Sequence, residues 1–152
     1  MTYTITNLRE QSQWIPQAAQ WFHSKWGVPL EAYLESMNDA LTATSGVPAW
    51  NIILNEQEEI IAGLGVIEND FHKRKDLAPN ICAVYVEETC RKQGIARMLM
   101  DHAAGELARH GIDMVYLITG HTNFYEHCGF TFYGMIEEDD GNMIRMYQRP
   151  TR

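Results

Sequence analysis

The six residues Arg91-Lys92-Gln93-Gly94-Ile95-Ala96 stand between an apolar run over residues 81–86 and a long amphipathic stretch over residues 95–110. A strand that ends in a turn poor in bulky side chains and then opens a helix presents unpaired backbone N–H groups at the positive end of the helix dipole. That is an anion site, best suited to a phosphate or pyrophosphate. No Gly-Lys-Ser/Thr follows the turn, so it is not a P-loop, and the three glycines of a dinucleotide fingerprint are absent. Gly63-Leu64-Gly65 imitates such a loop, but no helix pattern follows it, so it reads as a bulge or a close backbone approach inside a strand.

The elements that must position this turn follow from periodicity. A first strand is expected over residues 2–7, and a helix over 13–26 with Trp14, Ala18, Trp21, Phe22 and Trp26 at helical spacing, ended by Gly27. Leu30, Tyr33, Leu34, Met37 and Leu41 mark a second helix, and residues 50–54 and 60–68 form a hairpin. Residues 69–79 read as a loop whose basic run, His72-Lys73-Arg74-Lys75, is a solvated turn. A buried strand over 81–86 leads into the turn, and the helix beyond it buries Ile95, Met98, Leu99, His102, Ala103 and Leu107. There follow a strand over 114–118, a short helix over 123–127 closed by Gly129, a strand over 130–135, an acidic turn and a last strand over 143–148. With 152 residues and no repeat or linker, the chain reads as one domain, 1–152.

Composition narrows the partners. A net charge of −8 argues against nucleic acid or an anionic membrane, and suits a cationic substrate as well as it suits ordinary solubility. No apolar stretch is long enough to span a bilayer and the first residues lack a leader pattern, so a cytoplasmic protein is expected. Cys82, Cys90 and Cys128 are an odd count without CxxC spacing, which indicates neither disulfides nor zinc. His127 and Cys128 are adjacent and do not face each other on a helix, which argues against a catalytic thiol, and His121 and His127 lack a supporting carboxylate pattern, so no metal is expected.

The pattern Arg91-x-x-Gly94-x-Ala96, preceded by Val84-Tyr85-Val86 and followed by Phe124-Tyr125-Glu126-x-x-Gly129-Phe130, resembles the acetyl-CoA-binding core of the GNAT superfamily of N-acetyltransferases. The element order β-α-α-β-β-β-α-β-α-β-β is also that of the family. The resemblance implies an α/β (α+β) fold with a mixed, mostly antiparallel twisted sheet flanked by helices, and acetyl-CoA as cosubstrate. It assigns the pyrophosphate to the backbone of Arg91, Lys92, Gln93, Gly94, Ile95 and Ala96. It assigns the pantetheine arm to the main chain of Val84 and Val86, on a strand that splays from its neighbour, with a further contact from Asn123. Lys92 departs from the family pattern, which usually has Gly there, yet it keeps its backbone N–H and adds a cation.

Tyr125 matches the family tyrosine that gives a proton to the departing thiolate. A phenol suits this role because it is protonated at neutral pH, while a free thiol has a pKa of about 8.5. No motif fixes the base that takes the proton of the attacking amine. Glu68 and Asp70, where the third strand runs into the loop beside the cofactor strand, are the candidates, with solvated loop carboxylates as the alternative. Glu137, Glu138, Asp139 and Asp140 would attract a cationic acceptor at the pocket rim. The resulting reading is an acetyltransferase, monomer or homodimer, acting on a primary amine of a small molecule or peptide by direct attack. Two others stay open: a non-catalytic acyl-CoA-binding or sensor module, and a protein-interaction module whose partner surface includes exposed Trp21 and Trp26.

Overall fold

The structure, a computed structural model, describes residues 2–152. Its strands are β1 (Thr4–Asn7), β2 (Ala49–Leu54), β3 (Ile60–Ile67), β4 (Asn80–Val86), β5 (Met114–Thr119), β6 (Thr131–Glu137) and β7 (Met143–Pro150). Helices α1 (Ile15–Trp26) and α2 (Leu30–Ala40) fall between β1 and β2, and α3 (Ile95–Arg109) between β4 and β5. The sheet runs β1-β2-β3-β4-β5-β7-β6. Every neighbouring pair is antiparallel except β4 and β5, which are parallel. This is the mixed, mostly antiparallel sheet expected.

Alternation along the strands sends side chains to two helical layers. Trp50, Ile52 and Leu54 of β2 pack with Phe22 of α1 and Tyr33 and Met37 of α2. Ile53 of β2, Leu64 and Val66 of β3 and Val115 of β5 pack with Leu99, Ala103 and Leu107 of α3 on the other face. The two glycines of β3 explain themselves here. A Cβ on Gly63 would lie 2.6 Å from the Phe22 ring and one on Gly65 2.5 Å from the Trp50 ring. Gly63-Leu64-Gly65 is therefore a close approach that lets two large aromatic rings pack against the strand backbone.

The structure corrects several boundaries and one face. β1 starts at Thr4, β6 and β7 run on to Glu137 and Pro150, and the short helix is a 3-10 turn, Tyr125–Cys128. On α3 the buried stripe includes Met100 and Ala104, while Met98 is exposed and His102 half-buried beside Glu106. The i, i+4 row 95, 99, 103 and 107 is buried as expected, but the sheet covers its other flank, Met100 and Ala104. The basic run is only partly a solvated turn: Lys73, Arg74 and Lys75 are exposed, whereas His72 is fully buried with Nε2 2.9 Å from Asn80 Oδ1. Among the described residues no helix is long and apolar enough to cross a membrane.

Candidate active site

β4 meets β5 at a single paired position, Asn80 opposite Tyr116, where the Tyr116 N–H donates to the Pro79 carbonyl at 3.0 Å. Beyond it the two strands part. On its other side β4 carries one residue more than β3, since Gly63 pairs with Tyr85 and Gly65 with Cys82. The extra residue is a bulge centred on Ala83, whose φ of 55° is left-handed. Bulge and splay together leave the β5 side of β4 without a strand partner from Cys82 to Val86. A backbone edge of this kind accepts an extended amide-bearing chain as a sheet would accept another strand.

The turn after β4 displays backbone and withdraws side chains. Lys92 and Gly94 are both left-handed, at φ 65° and 74°. No side chain caps the N-terminus of α3. The Arg91 Nε donates to the Val86 carbonyl at 2.9 Å, with the guanidinium 5.3 Å from the centre of the Tyr85 ring. The Gln93 side chain accepts from the Tyr3 hydroxyl at 3.1 Å. A Cβ on Gly94 would meet nothing within 4 Å. The turn thus fits a pyrophosphate: uncapped amides, left-handed corners and open space in front of them. The Arg91 side chain itself is folded back along β4.

A cavity of about 480 Å³ opens where β4 and β5 diverge, under the α1–α2 layer. Cys82, Ala83 and Val84 of β4 form one side and Leu117, Ile118 and Thr119 of β5 another. Tyr125 and Asp70 both line it. Of the other residues singled out in the sequence, Glu68, Val86 and Asn123 do not line it. Glu68 is exposed and only its carbonyl is engaged, accepting from Asn80 Nδ2 at 2.8 Å. Asn123 is an exposed residue at φ 71° on the loop before the 3-10 turn.

The two titratable groups in the cavity are both perturbed by burial. Burial pushes the Asp70 carboxyl up to about 6, with His72 pulling the other way and Glu138 adding to the rise. Burial likewise pushes the Tyr125 hydroxyl up to about 12, with the Cys128 thiol adding and a hydrogen bond to the Thr119 side chain opposing. Asp70 is thus an anion above neutral pH and Tyr125 a phenol throughout. Burial also drives the Cys82 thiol well up, so it stays neutral and no thiolate nucleophile faces the cavity.

Tyr125 is held by a second set of residues that the sequence reading missed. The buried Tyr147 hydroxyl donates to Glu126 Oε2 at 3.1 Å and accepts from Arg145 Nη2 at 3.2 Å. The Tyr125 ring lies 6.1 Å from the Tyr147 ring and 6.0 Å from that of Phe130. The available signal was Arg-x-Tyr on β7, two residues of one strand face. Trp26 and Tyr33, expected only as members of the helical stripes, also line the cavity, as do Phe71 and His121. None of Glu137, Glu138, Asp139 or Asp140 lines it. Their turn backs the Asp70 loop instead: the Asp139 N–H donates to the Phe71 carbonyl at 2.9 Å, and Glu137 pairs with Lys73. Among the described residues no cluster of His, Cys, Asp or Glu could hold a metal ion.

A family model described as the acetyltransferase (GNAT) domain matches residues 49–132. The chain belongs to that family. The cosubstrate of this acetyltransferase family is acetyl-CoA. No curated protein matches the sequence significantly. Among solved structures, yncA of Salmonella typhimurium with its cofactor acetyl-CoA superposes with a TM-score of 0.71 at 12% identity, over 100% of this chain and 95% of that one. A GNAT-family acetyltransferase of Staphylococcus aureus Mu50 gives 0.63 at 18% identity, over 99% of this chain and 100% of that one. A mutant of spermidine N-acetyltransferase SpeG from Vibrio cholerae gives 0.66 at 15% identity, over 98% and 94%. At these identities the likeness is one of fold.

Proposed function

We propose that this acetyltransferase moves the acetyl group of acetyl-CoA to a primary amine by direct attack, with Asp70 taking the proton of the amine and Tyr125 giving one to the departing sulfur. The observation that carries the reading is that Asp70 and Tyr125 line the same cavity, at the point where β4 opens. The Arg91–Ala96 turn would hold the pyrophosphate through its amides and the open edge at Val84 would guide the pantetheine arm toward the cavity. Bound there, the thioester supplies the acyl group. Asp70, a carboxylate at pH 7 with a pKa of about 6, accepts the proton as the amine attacks. Tyr125 holds its proton until negative charge develops on sulfur. Completing that transfer to a free thiolate would be uphill by roughly 5 kcal/mol. That lies well inside the barrier of about 16 kcal/mol for a turnover of ten per second.

The test is release of CoA across a panel of small amines and lysine peptides. Release is expected with at least one amine, rising as pH passes about 6, and Tyr125→Phe should lower turnover by roughly 10²-fold while leaving acetyl-CoA affinity nearly unchanged. A folded protein that binds acetyl-CoA and releases no CoA with any amine would be a binding or sensor module instead.

A further inference from the structure

Apolar rings in water and left-handed backbone at bulky residues are both unfavourable, and one loop of this molecule has both. Among the described residues the two most exposed aromatic side chains are Phe71, 64% exposed, and Trp26, 50% exposed, and both line the cavity. Phe71 also sits at φ 60°, a conformation that a bulky residue adopts only under constraint. The constraint is visible on both sides of it. Asn69 Nδ2 donates to the His72 carbonyl at 2.9 Å, the Asp139 N–H to the Phe71 carbonyl at 2.9 Å, and the buried His72 ring is fixed on Asn80. The fold therefore spends several hydrogen bonds on presenting a phenyl ring to solvent at the cavity mouth, beside Asp70. Exposed Trp26, which would have spoken for a protein partner, is accounted for by the same mouth; Trp21 is half-buried against Tyr85.

The remaining lining decides the ligand class. Tyr33 and Trp50 continue the aromatic surface inward, and Asp70 is the one carboxylate among the lining residues. A polyamine brings two or more ammonium groups, of which the one lining carboxylate could pair with only one; a protein lysine brings a flexible aliphatic stem and no ring. We propose that the acceptor is a compact monoamine with an aromatic body, the body lodged between Trp26 and Phe71 and the single ammonium delivered to Asp70. Such a ligand covers both exposed rings, gains edge or offset stacking from them, and leaves no second charge in the apolar part of the cavity.

The inference rests on the transferase reading above, so its test must separate the two. CoA release by the full chain is measured with 2-phenylethylamine, n-propylamine, spermidine and a lysine peptide. The expected order has kcat/KM for 2-phenylethylamine at least tenfold above each of the others. Phe71→Gly removes the ring and places at φ 60° the one residue that accepts it freely, so this variant should melt at or above the parent temperature. Its preference for 2-phenylethylamine over n-propylamine should nonetheless fall at least fivefold, and Trp26→Ala should lower the same ratio. If spermidine or the peptide is the preferred acceptor and Tyr125→Phe still lowers turnover by roughly 10²-fold, the aromatic pocket is overturned and the transferase stands. An unchanged ratio in Phe71→Gly also overturns the pocket. Absence of release with every amine overturns both.

Discussion

The proposed cofactor turn and the proposed acceptor side of the cavity pose different problems. The turn is six consecutive residues that would work through backbone amides, and its geometry is local: two left-handed corners, Lys92 and Gly94, and an uncapped helix end. The acceptor side is assembled from Trp26 at the end of α1, Tyr33 on α2, Asp70 and Phe71 on the loop after β3, and Tyr125 on the 3-10 turn. Its working groups are side chains, and they converge only when both helical layers and the sheet are in place. A site made of backbone is fixed by short-range conformation, whereas a site made of side chains is fixed by packing.

The sharpest way to break this contrast is at Gly94. If the turn binds through backbone, a bulky side chain there should project into the space a phosphate needs, since nothing in the protein occupies it. Gly94→Trp is expected to weaken acetyl-CoA binding by about 2–4 kcal/mol, or roughly 30-fold to 1,000-fold. Gly94→Ala carries the same left-handed strain without the bulk and should cost less than half as much. Calorimetric affinity that is equal in the Trp and Ala variants would mean that the phosphates sit elsewhere.

Asp70 probes the other side, because a half-buried carboxyl facing an apolar cavity should be expensive for stability. Its folded-state pKa of about 6 lies above the ordinary 3.8, so the folded protein binds this proton more tightly than the unfolded chain does. The carboxylate then costs stability above pH 6 and costs nothing below about pH 4. Asp70→Asn should accordingly be more stable than the parent at pH 8, by up to about 3 kcal/mol, with the difference closing as pH falls toward 4. The same variant should lose the limb of the rate profile near pH 6 together with most of the turnover. A parent and variant that melt in parallel across this range would show that Asp70 is solvated, as Glu68 is.

How much was legible follows the same division. The hydrophobic period fixed the order of strands and helices, and the phosphate-ready turn was visible because a strand, a small-residue turn and a helix occur in sequence. The pairing of Gly63 and Gly65 with Phe22 and Trp50 was legible only in outline: glycine in a strand announces a close approach without naming its partner. Asp70 could not be told from Glu68, since both are acids at a strand end and only the hydrogen-bonded loop around buried His72 turns one inward. Phe71 looked like an ordinary loop residue, and Trp26 like the last member of a helical stripe. Tyr147 and Arg145 were hidden because their tie to the Tyr125 turn crosses from β7 to a segment some twenty residues earlier.

Lys92 gives the smallest effect and the finest comparison. It and Phe71 are both non-glycine residues at φ near 60° to 65°, one within the proposed cofactor turn and one at the cavity mouth. A left-handed L-residue costs roughly 1–2 kcal/mol, and glycine gives part of that back as entropy of the unfolded chain. Lys92→Gly should therefore stabilise the protein by about 0.5–1 kcal/mol, read as a higher urea midpoint with an unchanged slope. Its backbone N–H survives the change, so acetyl-CoA affinity should fall by no more than about 1 kcal/mol, and only the salt dependence of binding should shrink with the lost cation. A large loss of affinity at every salt concentration would place the Lys92 side chain in direct contact with phosphate, and the cofactor side would then depend on a side chain as the acceptor side does.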